Sequence, residues 1–149
     1  MIKVFSSLLS LGILVAGCSG TRPMNLGVHD GKLAPCPAAL NCVSSQSTDK
    51  DHAVEPFPFS GTSVEAMADL KKVLSGMPRA TIVTATNAYV HAEFTSALFR
   101  FVDDVEFCLD ESTRTIHLRS ASRVGQSDLG VNRKRIDDLR AAMNALHPN

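Results

Sequence analysis

Residues 98–109 read Leu-Phe-Arg-Phe-Val-Asp-Asp-Val-Glu-Phe-Cys-Leu. Apolar side chains alternate with polar ones along this stretch. Phe99, Phe101, Val105, Phe107 and Leu109 fall on one side of an extended chain; Arg100, Asp104 and Glu106 fall on the other. A period of two predicts a half-buried strand. Three further runs, at about 80–86, 88–95 and 114–121, are rich in β-branched or aromatic residues. In them Val90, Ala92 and Phe94 oppose Tyr89, His91 and Glu93, while Ile116 and Leu118 oppose His117 and Arg119. The connections are short and carry turn formers, Asn87 and Asp110-Glu111-Ser112, so the strands are expected to form an antiparallel meander. One sheet face is then apolar. The other gathers His91, Glu93, Arg100, Asp104, Glu106, His117 and Arg119.

Helical patterns flank the strands. Thr62-Ser63-Val64-Glu65 fits a capping box, with Thr62 as N-cap and Glu65 three residues on. Val64, Met67, Leu70, Val73 and Leu74 then form one face of a helix that Gly76 and Pro78 stop. A last helix starts near Asn132, with Ile136, Leu139, Met143 and Leu146 as its stripe. The expected fold is α+β: an antiparallel four-stranded sheet with two helices on one face, preceded by a Cys-containing loop region.

Working outward to the start of the chain, Lys3 is followed by the apolar run Val4 to Val15 and then Ala16-Gly17-Cys18. A cation, a short apolar run and small residues make a signal peptide. The run is too short for a mature membrane span. Val15-Ala16-Gly17-Cys18 resembles the lipobox of bacterial lipoproteins, whose Cys thiolate takes the diacylglycerol. Residues 1–17 are therefore expected to be a lipoprotein signal peptide. Residues 18–35 are read as the lipidated Cys18 and a flexible tether, and 36–149 as a single globular domain. Ser19 rather than Asp after the Cys favours the outer membrane, facing the periplasm, in a Gram-negative cell. Fully extended, residues 19–35 reach about 55–60 Å.

The 149 residues hold 15 Lys plus Arg against 15 Asp plus Glu. That balance excludes a polybasic nucleic-acid binder, and no nucleic-acid partner is expected. Apart from Cys18, three cysteines remain. Cys36 and Cys42 stand six apart, and an exported compartment favours a disulfide between them. Cys108 lies in a strand and reads as a buried small hydrophobe, or else as a partner of Cys36 or Cys42 that would leave the other one free. The spacing suits neither a Cys-x-x-Cys redox site nor a zinc finger. His91, Glu93 and His117 share a face, but the pattern does not carry a metal assignment, and no cofactor is expected.

The densest polar segment runs from Arg119 to Arg135. Arg133, Lys134 and Arg135 fall in the first turn of the last helix, where the macrodipole disfavours cations. Partner carboxylates such as Asp103, Asp104 or Asp128, or a bound anion, should compensate. Gly125, Gly130, Ser120, Ser122 and Ser127 supply the flexibility and donors that an anion site uses. In the competing structural reading, Arg123 and Arg133 hold this loop to the sheet through paired Asp residues.

Four segments carry a resemblance. They are Leu33-Ala34-Pro35-Cys36-Pro37 through Asn41-Cys42-Val43-Ser44-Ser45-Gln46; Tyr89-Val90-His91-Ala92-Glu93; Phe101-Val102-Asp103-Asp104-Val105-Glu106-Phe107; and Arg119-Ser120-Ala121-Ser122-Arg123-Val124-Gly125 with Asp128-Leu129-Gly130-Val131-Asn132-Arg133. Together, over about Lys32 to Leu146, they resemble the domain-of-unknown-function family fourteen-ninety-nine (DUF1499). The resemblance implies an envelope context and one compact domain, and no reaction. It maps the family's recurring polar residues to Ser44, Ser45, Asp103, Asp104, Glu106, Arg119, Ser122, Arg123, Asp128, Asn132 and Arg133. Leu40 stands where the family often has Pro. Cys108 stands where it usually has no Cys, which argues against an essential thiol.

The expected function is a membrane-anchored envelope lipoprotein acting as a noncatalytic binding module. Its partners would be the membrane, through Cys18, and an anionic small molecule or envelope partner. The candidate ligand cluster is Asp103, Asp104, Glu106, Arg119, Ser122, Arg123, Asp128, Asn132 and Arg133. The alternatives are a purely structural lipoprotein, and a hydrolase using the acids at 103–106 with His91. The hydrolase reading is the weaker: no nucleophile elbow, His-Glu-x-x-His or phosphate loop is present, so no catalytic residue is assigned.

Overall fold

A computed structural model describes residues 19–147. The stretch expected to be a signal peptide, residues 1–17, and the expected lipidation site Cys18 lie outside the described residues. In chain order the elements are β1 (Cys42–Ser44), β2 (Phe57–Pro58), α1 (Ser63–Gly76), β3 (Ala80–Ala85), β4 (Tyr89–Thr95), β5 (Val102–Asp110), β6 (Thr115–Ser122) and α2 (Val131–Leu146). All strand pairs are antiparallel, in the order β1-β6-β5-β4-β3, with β2 also on β6.

The expectation of four strands carrying two helices on one face is thereby corrected: the sheet has six strands. The two extra strands share the free edge of β6. Cys42–Ser44 pairs with Arg119–Ala121, and Phe57–Pro58 pairs with Thr115–Ile116. They are three and two residues long, too short to show a period. Their conformation comes from a distant partner rather than from local propensity.

The meander itself follows the alternation. Val90 faces Phe107, which faces Leu118; His91 faces Glu106, which faces Arg119. The first set joins Met67, Leu70 and Leu74 of α1 and Ile136 and Leu139 of α2 in one core. The capping box forms as expected: the Glu65 amide donates to Thr62 Oγ1 at 3.2 Å, and the Thr62 amide donates to Glu65 Oε2 at 2.9 Å.

The strand expected from residue 98 starts instead at Val102. Residues 96–101 form the turn between β4 and β5. The Ser96 amide donates to the Phe101 carbonyl at 2.8 Å, and the Phe101 amide donates to Ser96 Oγ at 2.9 Å. Arg100 takes φ +57°, which breaks the extended chain. Phe99 and Phe101 therefore leave the core and are exposed.

Candidate functional site

The candidate polar residues separate into three groups, because side-chain parity sends neighbours in one strand to opposite faces. Asp104, Glu106 and Arg119 point away from the helices, joined there by His91, Glu93 and, from beyond β6, Arg123. Asp103, Ser120 and Ser122 share the helix side with Asn132. Asp128 and Arg133 sit at the start of α2.

The first group is a closed ion network. Arg123 donates from Nε to Asp104 Oδ2 at 2.8 Å, and from Nη2 to Asp104 Oδ1 at 2.7 Å and Glu93 Oε1 at 2.5 Å. His91 Nε2 reaches Asp104 Oδ1 at 2.8 Å. Asp104 is 1% exposed, so an unpaired carboxylate there would be costly. Burial pushes the Asp104 carboxyl up, but Arg123 and His91 overcome this and hold it below its ordinary range. Glu93 behaves likewise: burial raises it, while Arg123 and Arg22 lower it further. The same contacts raise Arg123, Asp104 first among them.

His91, Glu93 and Asp104 do present ligand atoms within 4.8 Å of one another. The Arg123 guanidinium lies among them and supplies the positive charge that a metal ion would bring. His117 is elsewhere on this face, with Nδ1 3.2 Å from Ser45 Oγ.

Glu106, fully buried, accepts from the Tyr89 hydroxyl at 2.8 Å, the Gly27 amide at 2.7 Å and Arg119 Nη1 at 3.4 Å. Burial, then Glu106, raises the Tyr89 phenol. The Nε of Arg119 has no hydrogen-bond partner among the described residues.

This face is covered by the segment expected to be a tether. Arg22 donates to Glu93 Oε1 at 2.5 Å and 3.0 Å. The Leu33 amide donates to Gln46 Oε1 at 2.9 Å. Gly20 comes so close that a Cβ there would fall 2.7 Å from Cβ of Arg123. Arg22 was not singled out from the sequence, although it is the one charge in residues 19–28. An isolated cation in an otherwise neutral Gly/Pro-rich stretch was the available signal.

In the second group, Arg135 pairs with Asp103, and Asn132 accepts from Ser120 Oγ at 2.5 Å while donating to Ser122 Oγ at 2.9 Å and the Asn41 carbonyl at 3.1 Å. This network pins α2 to β6 and to the loop before β1. In the third, Asp128 accepts from the Gly130 amide at 2.9 Å and the Asn132 amide at 2.8 Å. Its charge at the N-terminus of α2 offsets the basic first turn. Arg133 donates to the carbonyls of Ala53 and Asp51, at 2.8 and 3.0 Å, rather than to a carboxylate. Arg123 thus meets the structural expectation of an Asp partner; Arg133 holds its loop through backbone.

A family model described as a protein of unknown function, DUF1499, matches residues 32–143. The chain belongs to this family. No curated protein matches it.

The DUF1499 domain also has an open concavity, away from these networks. A cleft of about 680 Å³ lies between residues 25–38 and residues 44–52, lined by His29, Lys32, Gln46, Asp49 and His52 among others. His52 is buried, with Nδ1 2.9 Å from Asp49 Oδ2 and Nε2 3.2 Å from the Ala39 carbonyl. Both neighbours are acceptors, an arrangement that favours donation from both ring nitrogens and hence the protonated ring. The Asp49 contact, then the Ala39 carbonyl, raise His52 above its ordinary value. Cys36, on the cleft wall, stands at disulfide distance from Cys42, with Cα atoms 5.6 Å apart. Cys108 is a buried free thiol that burial, then Asp110, pushes up.

Ser45, His117 and Asp110 lie in the order nucleophile, base and acid. However, His117 Nε2 is 3.9 Å from Asp110 Oδ2, beyond a hydrogen bond, and Ser45 Oγ already accepts from the Leu118 amide at 2.8 Å. Asp110, held down to about 2, is spent on Ser112 and Thr113 of its own turn. The arrangement does not make an activated nucleophile.

Proposed function

We propose that this DUF1499 protein is a lipid-anchored, noncatalytic binding module of the bacterial envelope. The observation that carries the noncatalytic part is the mutual pairing of the buried acids and cations. A general acid or base must reach a substrate proton, whereas Asp104, His91 and Arg123 bind one another beneath the N-terminal segment. The same pairing argues against the Arg119–Arg135 loop as an anion site. The cleft beside His29 and Lys32 is the better place for a small anionic ligand. The anchor rests on the lipobox-like Val15-Ala16-Gly17-Cys18, and the oxidising compartment on the Cys36–Cys42 pair.

Two measurements test this. Labelling of the producing cell with a radioactive fatty acid should mark the wild-type chain and not Cys18→Ala; an unmarked wild-type chain would refute the anchor. Thermal melting with inorganic phosphate or citrate should show stabilisation that Lys32→Gln removes without lowering the ligand-free melting temperature. Arg123→Gln, by contrast, should lower that temperature with or without the anion. Stabilisation abolished by Arg123→Gln and indifferent to Lys32→Gln would return the site to the loop.

A further inference from the structure

The place where the chain enters the domain adjoins the most exposed aromatic turn of the sheet. Gly20 packs on Arg123, with φ +68° and no room for a side chain. The Arg123 amide donates to the Val102 carbonyl at 3.1 Å, and Val102 directly follows the turn at 96–101. On that turn Leu98 and Phe99 are 78% and 63% exposed, and Phe99 stacks on the exposed Phe101 with centroids 5.5 Å apart. Cys18 is two residues from Gly20, so about 7 Å of chain at most separates them.

The same end of the sheet carries further apolar surface. Leu40 and Leu129 are exposed in the segments just before β1 and after β6, which meet where the Asp128 amide donates to the Leu40 carbonyl at 3.3 Å. Val131, at the first turn of α2, is exposed beside them. Two exposed cations, Arg79 and Arg100, flank the aromatic turn, and residues 95–102 contain no acid. At the opposite end, the turn after β5 is Glu111-Ser112-Thr113-Arg114, with no apolar side chain. A lone exposed Leu needs no explanation, but aromatic and aliphatic groups gathered with arginines at the chain entry do.

We propose that this end of the sheet is a membrane-contact surface. Leu98, Phe99 and Phe101 enter the interfacial layer of the bilayer that holds the Cys18 anchor, and Arg79 and Arg100 meet anionic headgroups. The proposal rests on the lipid-anchor reading and extends it from a dangling domain to one docked with a fixed orientation. Apolar burial and attraction to anionic lipid are the two forces that hold interfacial segments. With Gly20 held against Arg123, the short span from Cys18 keeps this end near the surface, where the turn can reach it.

The chain has no tryptophan, so one substitution makes a clean reporter. Full chain bearing Phe99→Trp is purified from membranes and reconstituted into vesicles of phosphatidylethanolamine and phosphatidylglycerol with brominated acyl chains. A second preparation bears Thr113→Trp at the far end. Bromine should quench the reporter at position 99 several-fold more strongly than that at 113. Adding Leu98→Asn to the first preparation should reduce the difference while the protein still floats with the vesicles. Equal, weak quenching at both positions in floating protein overturns the docking and leaves the anchor intact. Shielding of position 99 that follows protein density, without bromine quenching, assigns the patch to a second copy and also overturns it. Wild-type chain that does not float with vesicles overturns the anchor reading itself.

Discussion

On one face of the sheet, Val90, Phe107 and Leu118 are sealed by two helices. On the other, His91, Asp104, Glu106 and Arg119 are buried almost as deeply, beneath a segment with no helix. Apolar burial is non-directional, so the helix side needs only volume and pattern. Burial of charge needs a partner for each group at hydrogen-bond distance, and a fault leaves an uncompensated ion. The polar face should therefore add less to stability than its depth suggests, while being less tolerant of a single change. The largest effect expected follows from this. Asp104→Ala leaves His91 without its carboxylate and Arg123 with Glu93 alone, and should cost about 3–5 kcal/mol in denaturant unfolding. Removing Arg123 as well, by Arg123→Met, should cost less than the sum of the two changes, since no Arg123 guanidinium is then left short of a carboxylate. Strict additivity would show that the network is not a unit.

The apolar side gives the reference. Leu118→Ala should cost roughly 3 kcal/mol through lost contacts and a residual cavity. It should combine additively with Arg123→Met, which acts on the other face. A coupled pair would mean that the two faces share strain through β6.

How much of this contrast was visible before folding follows from the range of each interaction. The capping box joins Thr62 to Glu65, three residues apart, and could be read directly. So could the assignment of His91, Glu93, Asp104, Glu106 and Arg119 to one face, because alternation is local. Asp103 by the same parity belongs to the helix side, and only the placement of α2 brings Arg135 to it. Arg22 is 71 residues from Glu93; nothing local marks that pairing. β1 and β2 exist only because β6 has a free edge. At 98–101 the alternation continued through what is a turn, and the pattern mistook exposed aromatic rings for core. The family was legible from four short segments, whereas the roles of their polar residues were not. Most of those residues hold the fold, and the open cleft is built partly from residues outside the list.

Acid should separate the faces without any cavity. Asp104 and Glu93 titrate below their ordinary values in the folded state. A depressed carboxyl contributes stability above its unfolded value, about 4, and loses it as pH falls through the folded value. Melting temperature should thus fall on acidification below about pH 4, and Asp104→Asn should flatten this limb. Leu118→Ala should lower the whole curve and leave its shape. His52 works in the other direction. Its folded value is raised, so its contribution is complete below about 6.5 and disappears as pH rises through the folded value. His52→Gln should flatten only that alkaline side. A Leu118→Ala curve that loses its acid limb would break the comparison.

The smallest equilibrium effect is expected at the cover itself. Arg22 is half exposed, and Glu93 keeps Arg123 when Arg22 is gone. Arg22→Gln should therefore cost a few tenths of a kcal/mol, within the range of exposed pairs. Hydrogen exchange should be more revealing than unfolding. The Gly27 amide is bonded to Glu106 across 79 residues, with no helix or strand around it. Its protection depends on the segment staying down, whereas amides in the middle of α1 and α2 are released only when the core opens. Gly27 should exchange through a local opening at lower free energy, and Arg22→Gln should speed it without changing the helix amides. If Gly27 exchanges together with α1 and α2, the irregular cover and the helical cover belong to one cooperative unit. The N-terminal segment would then be part of the core in every sense except its sequence.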